Sequence, residues 1–329
     1  MKKVVLITIG GTIASVSDNP LSTTTYHTPP LTGEELLQLF GGREKLPDIH
    51  VEVDDFMKKD SASLTPANWL ALAQRTTMHL AKSDVDGVVI THGTDTMEES
   101  AYFLNLSIPS CKPVVFTGAM RPASAVSCDG GLNLYNSLIA AASDKLTGCG
   151  VTICMNGTIC SARDTRKIHP TRPDAFTAVE MGALGNVTDN VVEIYYHSAR
   201  KHTYNSEFDC RKIELLPEVR ILYAYAGAPA DSFDHHINAG AQGLVIAAVG
   251  NGNLSSSWAE KVKAYAPLLP VVRCTRANGF VNRNGSQCDE SIKSIAGGNL
   301  PAQKARILLM FALAAKLDNA GIQRCFNEY

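Results

Sequence analysis

The sequence predicts an α/β protein with a large N-terminal domain, built on a mainly parallel doubly wound sheet, and a smaller C-terminal α/β domain. Three observations carry this. Continuous apolar runs rich in Val and Ile, at residues 4–9, 87–91, 113–117 and 151–155, are bounded by turn residues, as in strands covered on both faces. Helix-like segments lie between them, as crossover connections require. After a polar, mixed stretch the alternation resumes at "VRILYAYAG", "GLVIAAVGNGN" and "PVVRCTRANG".

Taken in order, the start "MKKVVLITIGGTIAS" superficially resembles a secretion signal, but two glycines interrupt it too early and its apolar part is short, so it reads as the first strand. Residues 68–82 then place Trp69, Leu72, Ala73 and Leu80 at helical spacing, and "GGLNLYNSLIAAASD" puts Leu134, Leu138, Ile139 and Ala142 on one face. The pattern breaks between about 188 and 216, which divides the chain into an N-terminal domain 1–190, a connection 191–215 with some hairpin-like structure, and a C-terminal domain 216–329. The last helix opens at Pro301, suited to a first turn, and continues through Ile307, Leu308, Phe311, Ala314 and Ala315.

Composition excludes several classes of function. In 329 residues, 45% hydrophobic and 19% charged, a net charge of -2 gives no basic excess for nucleic acid or anionic lipid, and no apolar run is long enough to span a bilayer. The nine cysteines include no C-x-x-C pair, and the histidines show no ligand spacing such as H-E-x-x-H. No metal is expected, and the cysteines read as reduced, mostly packed thiols, which favours the cytoplasm.

In open parallel sheets, ligands bind beyond the carboxyl ends of the strands. Two polar loops begin there, "GGTIAS" after the first strand and "THGTDTMEES" after the run "DGVVI", so both can converge on one pocket. The first lacks the G-x-G-x-x-G spacing of a dinucleotide fingerprint. Its glycines can instead turn backbone N–H groups inward beside Thr12, supplying a hydroxyl and an oxyanion site as acyl transfer needs, although Thr12 could equally cap the next segment. Thr94 and Asp95 precede a helix with acidic residues in its first turn, so ordinary N-capping competes with a catalytic role. His92 could serve as a base, but a histidine beside a turn is more often structural. Lys167, in "SARDTRKIHP" with Arg163 and Arg166, reads as part of a solvated loop unless it points at Thr94, where it could take a hydroxyl proton.

Together these motifs resemble the bacterial asparaginase family, the threonine-dependent amidohydrolases that include the glutaminase-asparaginases. The blocks "GGTIAS", "DGVVITHGTDTMEESAYFLNL", "KPVVFTGAMRP", "DGGLNLYNSLIAA", "VGNGNL" and "NLPAQKARILLMFAL" follow the family order nearly end to end. The resemblance implies hydrolysis of L-asparagine to L-aspartate and ammonia without a cofactor. Thr12 would be the nucleophile, assisted by Tyr26 on a segment, 14–30, suited to act as a lid. Thr94 and Lys167 would activate the nucleophile or the deacylating water, Asp95 would hold the α-ammonium, and Ser61 would bind the α-carboxylate. Asn251 matches a further family position in the C-terminal domain. A homotetramer, assembled as a dimer of dimers with each site completed by a neighbour's small domain, is also implied.

Three departures from the family pattern matter. Ala62 stands where glutamine-active relatives often carry Gln or Glu, which favours asparagine over glutamine. Ser286 aligns with the acidic residue that a partner subunit supplies to the α-ammonium, unless a loop shift brings Asp289 or Glu290 there. Cys111 matches a disulfide cysteine of secreted relatives, but its partner position holds Lys82. Two other functions stay open: a dual asparaginase-glutaminase, and a non-catalytic amino-acid sensor on the same scaffold. A larger amide substrate such as aminoacyl-tRNA lacks a basic patch to support it.

Overall fold

Eight strands in the order β10-β9-β6-β5-β4-β3-β1-β2 form the main sheet of the N-terminal unit. The structure, a computed structural model, describes residues 1–26, 30–285 and 289–329. The chain divides into two compact units, Met1–Cys210 and Arg211–Tyr329. In chain order the first holds β1 (Lys2–Thr8), α1 (Gly33–Gln38), β2 (Ile49–Asp55), α2 (Pro66–Leu80), β3 (Gly87–Thr91), α3 (Met97–Ser107), β4 (Val114–Thr117) and α4 (Gly130–Ala142). Then follow β5 (Val151–Met155), β6 (Thr158–Ser161), β7 (Thr165–Lys167), β8 (Phe176–Ala178), β9 (Gly185–Thr188) and β10 (Val191–Ile194).

The five strands from β2 to β5 pair in parallel. Val4 to Ile7 and Val88 to Ile90 are fully buried, which is why these strands read as unbroken apolar runs rather than as alternation. The expected helical faces are also buried. Trp69, Leu72, Ala73 and Leu80 of α2, and Leu134, Leu138 and Ile139 of α4, lie in the interior, while Ala142 at the end of α4 is only half-buried. α2 begins where Thr65 and Asn68 form a reciprocal capping box and Pro66 supplies a preset φ at the first position.

Order 2-1-3-4-5 in the parallel part means that the chain leaves β1 to one side and returns to the other, so the strand order reverses between β1 and β3. The loops after these two strands are the ones that carry Thr12 and Thr94.

β6, β9 and β10 are antiparallel to their neighbours. For the β5–β6 and β9–β10 pairs two-residue turns with positive φ cause this, at Asn156 and Gly157 (52° and 72°) and at Asp189 and Asn190 (48° and 68°), since so short a connection permits only a hairpin. β10 falls within the stretch 191–215 read as a connection, and residues 191–210 lie in the first unit. Cys210 is buried, with its Sγ 3.3 Å from Thr77 Oγ1.

The second unit contains β11 (Val219–Tyr223), α5 (Ser232–Asn238), β12 (Gly243–Ala248), α6 (Ser256–Tyr265), β13 (Val271–Thr275), α7 (Asp289–Ile292), β14 (Ile295–Ala296), α8 (Ala302–Ala314) and α9 (Asn319–Glu328). Its four strands are parallel and in sequential order. Phe233 of α5 and Trp258 and Val262 of α6 share its apolar cluster with β12. Pro301, expected in the first turn of the last helix, is the N-cap of α8, one position earlier, and the last helix is α9, which Asp318 caps by accepting from the Gly321 N–H.

Arg273, in the middle of β13, is completely buried. It donates from Nε and Nη2 to Asp289 at 2.9 and 2.7 Å, and to the carbonyls of Asn251, Gly252 and Asn282 at 3.1, 2.9 and 3.2 Å. A buried guanidinium requires such partners, and Asp289 is committed to supplying them.

Candidate active site

A cavity of about 290 Å³ opens beyond the carboxyl ends of β1 and β3, lined by Gly10, Gly11, Thr12, Ser15, Tyr26, Pro30, Lys58, Lys59, Asp60, Ser61, Gly93, Thr94 and Asp95. Three loops form it, and missing side chains let them meet. A Cβ on Gly11 would lie 2.4 Å from the Gly93 backbone, and one on Gly93 would lie 2.7 Å from Ser61 Oγ. Gly10 and Gly11 have φ of 99° and 94°, a region that only glycine enters at low cost. The Thr96 hydroxyl then ties the third loop by donating to the Ser61 carbonyl at 2.8 Å.

Within the cavity the two threonines differ in hydrogen bonding. Thr12, 9% exposed, donates from Oγ1 to Tyr26 Oη at 3.2 Å. Thr94, 5% exposed, accepts from Lys167 Nζ at 3.0 Å. The same ammonium donates to Asp95 Oδ1 at 2.6 Å, and the Asp95 side chain is exposed. The orientation that would lift Lys167 out of a solvated loop is therefore present. Ser61 is buried beside Gly93. Ala62 is exposed and absent from the lining, with its N–H bonded to Asp60 Oδ1 at 3.1 Å.

The segment carrying Tyr26 is tied down at its base. Ser124 Oγ accepts from Ser17 N–H at 2.7 Å and donates to the Ser17 carbonyl at 3.0 Å, while Ala123 and Val126 N–H groups reach the Ser15 and Pro20 carbonyls. From Ser17 onward, turns through Asn19 and Ser22 carry hydrogen bonds to Thr25. Neither Ser124 nor the cavity-lining Lys58 and Lys59 stands out in the sequence. Only Asp60 left a signal, as an N-cap aspartate before a short turn.

His92 is structural. It is fully buried, with Nδ1 2.6 Å from the Gly93 carbonyl and Nε2 2.7 Å from Ser100 Oγ. A carbonyl can only accept, so Nδ1 carries the proton and Nε2 accepts from the serine. Burial pushes its pKa down to about 4. The unfolded chain, near 6.5, binds this proton first, so the His92 contribution is complete above pH 6.5 and is lost as pH falls toward 4, by about 3 kcal/mol in all. His92→Gln should flatten that part of the acid limb of a stability-versus-pH curve measured by urea unfolding. An unchanged limb would mean that His92 is not neutral in the fold.

In the second unit, Asn251 accepts from the Asn282 N–H at 2.9 Å through its side-chain oxygen. Ser286 lies outside the described residues. Of its possible substitutes, Asp289 is held by Arg273 and Ser294, whereas Glu290 is exposed. Among the described residues no group of three or more His, Cys, Asp or Glu is placed to hold a metal ion, and no helix is long and apolar enough to cross a membrane. Eight cysteines are described and none is in a disulfide. Cys111 and Cys128 are exposed, while burial pushes the Cys154 and Cys274 thiols up to about 12.

Comparison with known proteins agrees along the whole length. Residues 3–200 match the family "Asparaginase, N-terminal", and residues 218–326 match "Glutaminase/Asparaginase C-terminal domain". L-asparaginase 2 of Bacillus subtilis (strain 168) is 40% identical, over 98% of this chain and 86% of its own. Glutaminase-asparaginase of Pseudomonas fluorescens biotype A is 37% identical, over 100% of this chain and 91% of its own. The crystal structure of a probable cytoplasmic L-asparaginase from Campylobacter jejuni superposes with a TM-score of 0.94 at 37% identity, covering all of both chains. With both units matched in order and relatives aligned from end to end, the chain belongs to the asparaginase family.

Proposed function

We propose that this protein is an L-asparaginase, an amidohydrolase that cleaves the side-chain amide of L-asparagine through a threonine ester. The observation that carries the reading is that two buried threonine hydroxyls line one cavity in opposite hydrogen-bonding roles. A hydroxyl that donates to a phenol oxygen keeps its lone pairs for attack, whereas one that accepts from an ammonium has density drawn away from its oxygen. Thr12 is accordingly the nucleophile.

Its Oγ1 attacks the amide carbon and the hydroxyl proton passes by way of Tyr26 to the departing nitrogen. The C–N bond breaks and ammonia leaves an aspartyl ester on Thr12. Water positioned by Thr94 and Lys167 then attacks the ester carbon, Thr12 regains a proton, and L-aspartate is released. Backbone N–H groups near Thr12 and Thr94 stabilise the oxyanion in both steps. Asp95 binds the α-ammonium and Ser61 the α-carboxylate, with Asn251 and the position of Ser286 contributed from a neighbour's small domain. No cofactor takes part in this scheme.

Ammonia release by the purified protein from L-asparagine and from L-glutamine, measured separately, tests the reading. Release from asparagine well above that from glutamine supports it. Comparable release from both establishes a dual asparaginase-glutaminase, and binding without release establishes a sensor. Ala62 follows the lining residue Ser61 and is itself exposed outside the lining, where a longer polar side chain has room to reach back toward the cavity, so Ala62→Gln should raise glutamine turnover relative to asparagine a few-fold, on the order of one added hydrogen bond. A constant ratio would mean that position 62 does not set specificity.

The assembly we propose is a homotetramer of two tight dimers, in keeping with exposed Tyr195, Tyr196, Tyr223, Tyr225 and Phe280, and sedimentation equilibrium measures it directly. The proposed compartment is the cytoplasm. Unpaired Cys111 and Cys128, with Lys82 at the position of a family disulfide partner, support it, and cell fractionation decides it.

A further inference from the structure

Lys167 reaches Thr94 and Asp95 from outside the main sheet. β7 and β8 form a separate two-stranded sheet, and Lys167 is its terminal residue, paired with Phe176. A two-stranded ribbon is only marginally stable by itself. A side chain that must meet a reacting group needs its backbone held to within about 0.5 Å.

We propose that Glu98 is the positioning residue for Lys167. The proposal rests on the catalytic reading above and deepens it. The Glu98 Oε2 accepts from the Lys167 backbone N–H at 3.0 Å, and Glu98 is only 7% exposed. Glu98 stands in the first turn of α3, three residues after Asp95, where the helix N-terminus favours a carboxylate. One short segment therefore grips Lys167 at both ends. Thr94 and Asp95 take its ammonium at 3.0 and 2.6 Å, and Glu98 takes its backbone. The N–H involved cannot be replaced by a bond to the main sheet, because β7 belongs to another sheet. Without the Glu98 carboxylate the Lys167 backbone loses its tie to α3, and the ammonium its register with Thr94.

Reach and charge are separable here. Glu98→Gln keeps an acceptor oxygen at the same distance from the main chain and removes the charge. Glu98→Asp keeps the charge and withdraws it by one methylene. Steady-state kinetics with L-asparagine should show Glu98→Gln close to the parent and Glu98→Asp with kcat lowered about 10-fold to 100-fold, as expected for a misplacement of about 1 Å, while KM changes less than kcat. Glu98→Ala should match or exceed the loss in Glu98→Asp. If Glu98→Asp keeps its kcat, or if Glu98→Gln loses as much as Glu98→Asp, positioning by a hydrogen bond is overturned. A loss in Glu98→Asp that disappears when rates are divided by the folded fraction, measured by thermal unfolding, overturns it as well. An inactive parent protein would instead refute the catalytic reading itself.

Discussion

Thr12→Ala is expected to bind L-asparagine with little change and to lose turnover by about 10³-fold or more, the scale on which removal of a nucleophile acts. The hydroxyl is buried in the cavity wall and its one described side-chain bond is to Tyr26 at 3.2 Å. Removing it leaves Ser61, Thr94, Asp95 and Lys167 in place. Thr12→Ser keeps the oxygen and should retain much of the rate. Calorimetric titration of Thr12→Ala with asparagine, beside its ammonia release, separates binding from chemistry. Acid quenching of the parent protein during turnover should trap an aspartyl ester on the peptide that contains Thr12. Near-parental turnover in Thr12→Ala would remove it as the nucleophile and shift attention to Thr94.

The second large effect is expected at Gly11. A Cβ there would meet the Gly93 Cα and N at 2.4 Å, backbone against backbone, with φ at 94°. Unlike a clash with the end of a flexible side chain, this one can be relieved only by moving a loop. Gly11→Ala should cost about 3 kcal/mol or more from conformational strain and steric displacement together, lower the melting temperature by roughly 10 °C, and abolish most activity by parting Thr12 from Thr94. Gly182→Ala supplies the comparison, since its φ is 74° but no heavy atom lies within 4 Å of the added carbon. It should show only the conformational part, about 1 kcal/mol. Equal losses in the two variants would show that the contact with Gly93 contributes nothing.

The parts of this fold that local pattern determines were readable in the chain. Runs such as Val4 to Ile7 announce buried parallel strands, and the polar residues that stop them mark where a ligand can sit. What joins the two loops is not local. A glycine pair after β1 signals unusual φ but not that Gly93, some eighty residues on, will rest against it. The place of Lys167 is not local either, because it depends on a ribbon outside the main sheet. The hairpin at Asn156 and Gly157 carries a local signal in the Asn-Gly pair itself, whose positive φ suits a two-residue turn. Asp289 offered a plausible acidic group in sequence, yet only the burial of Arg273 reveals that its carboxylate is already taken.

The contact between Gly11 and Gly93 also bears on how such a protein can diversify. Its floor is made of loops in close contact, so a bulkier residue at Gly11 displaces the Gly93 backbone and one at Gly93 displaces Ser61. Changes there must come in concert, through intermediates that fold poorly. The rim is different: Tyr26, Pro30, Lys58 and Asp60 line the cavity, and Ala62 lies beside it, exposed. Adaptation to a new amide has an open path along the rim and a closed one through the floor, and libraries built to alter substrate range should sample positions 30, 58, 60 and 62 while leaving Tyr26 and both glycines fixed.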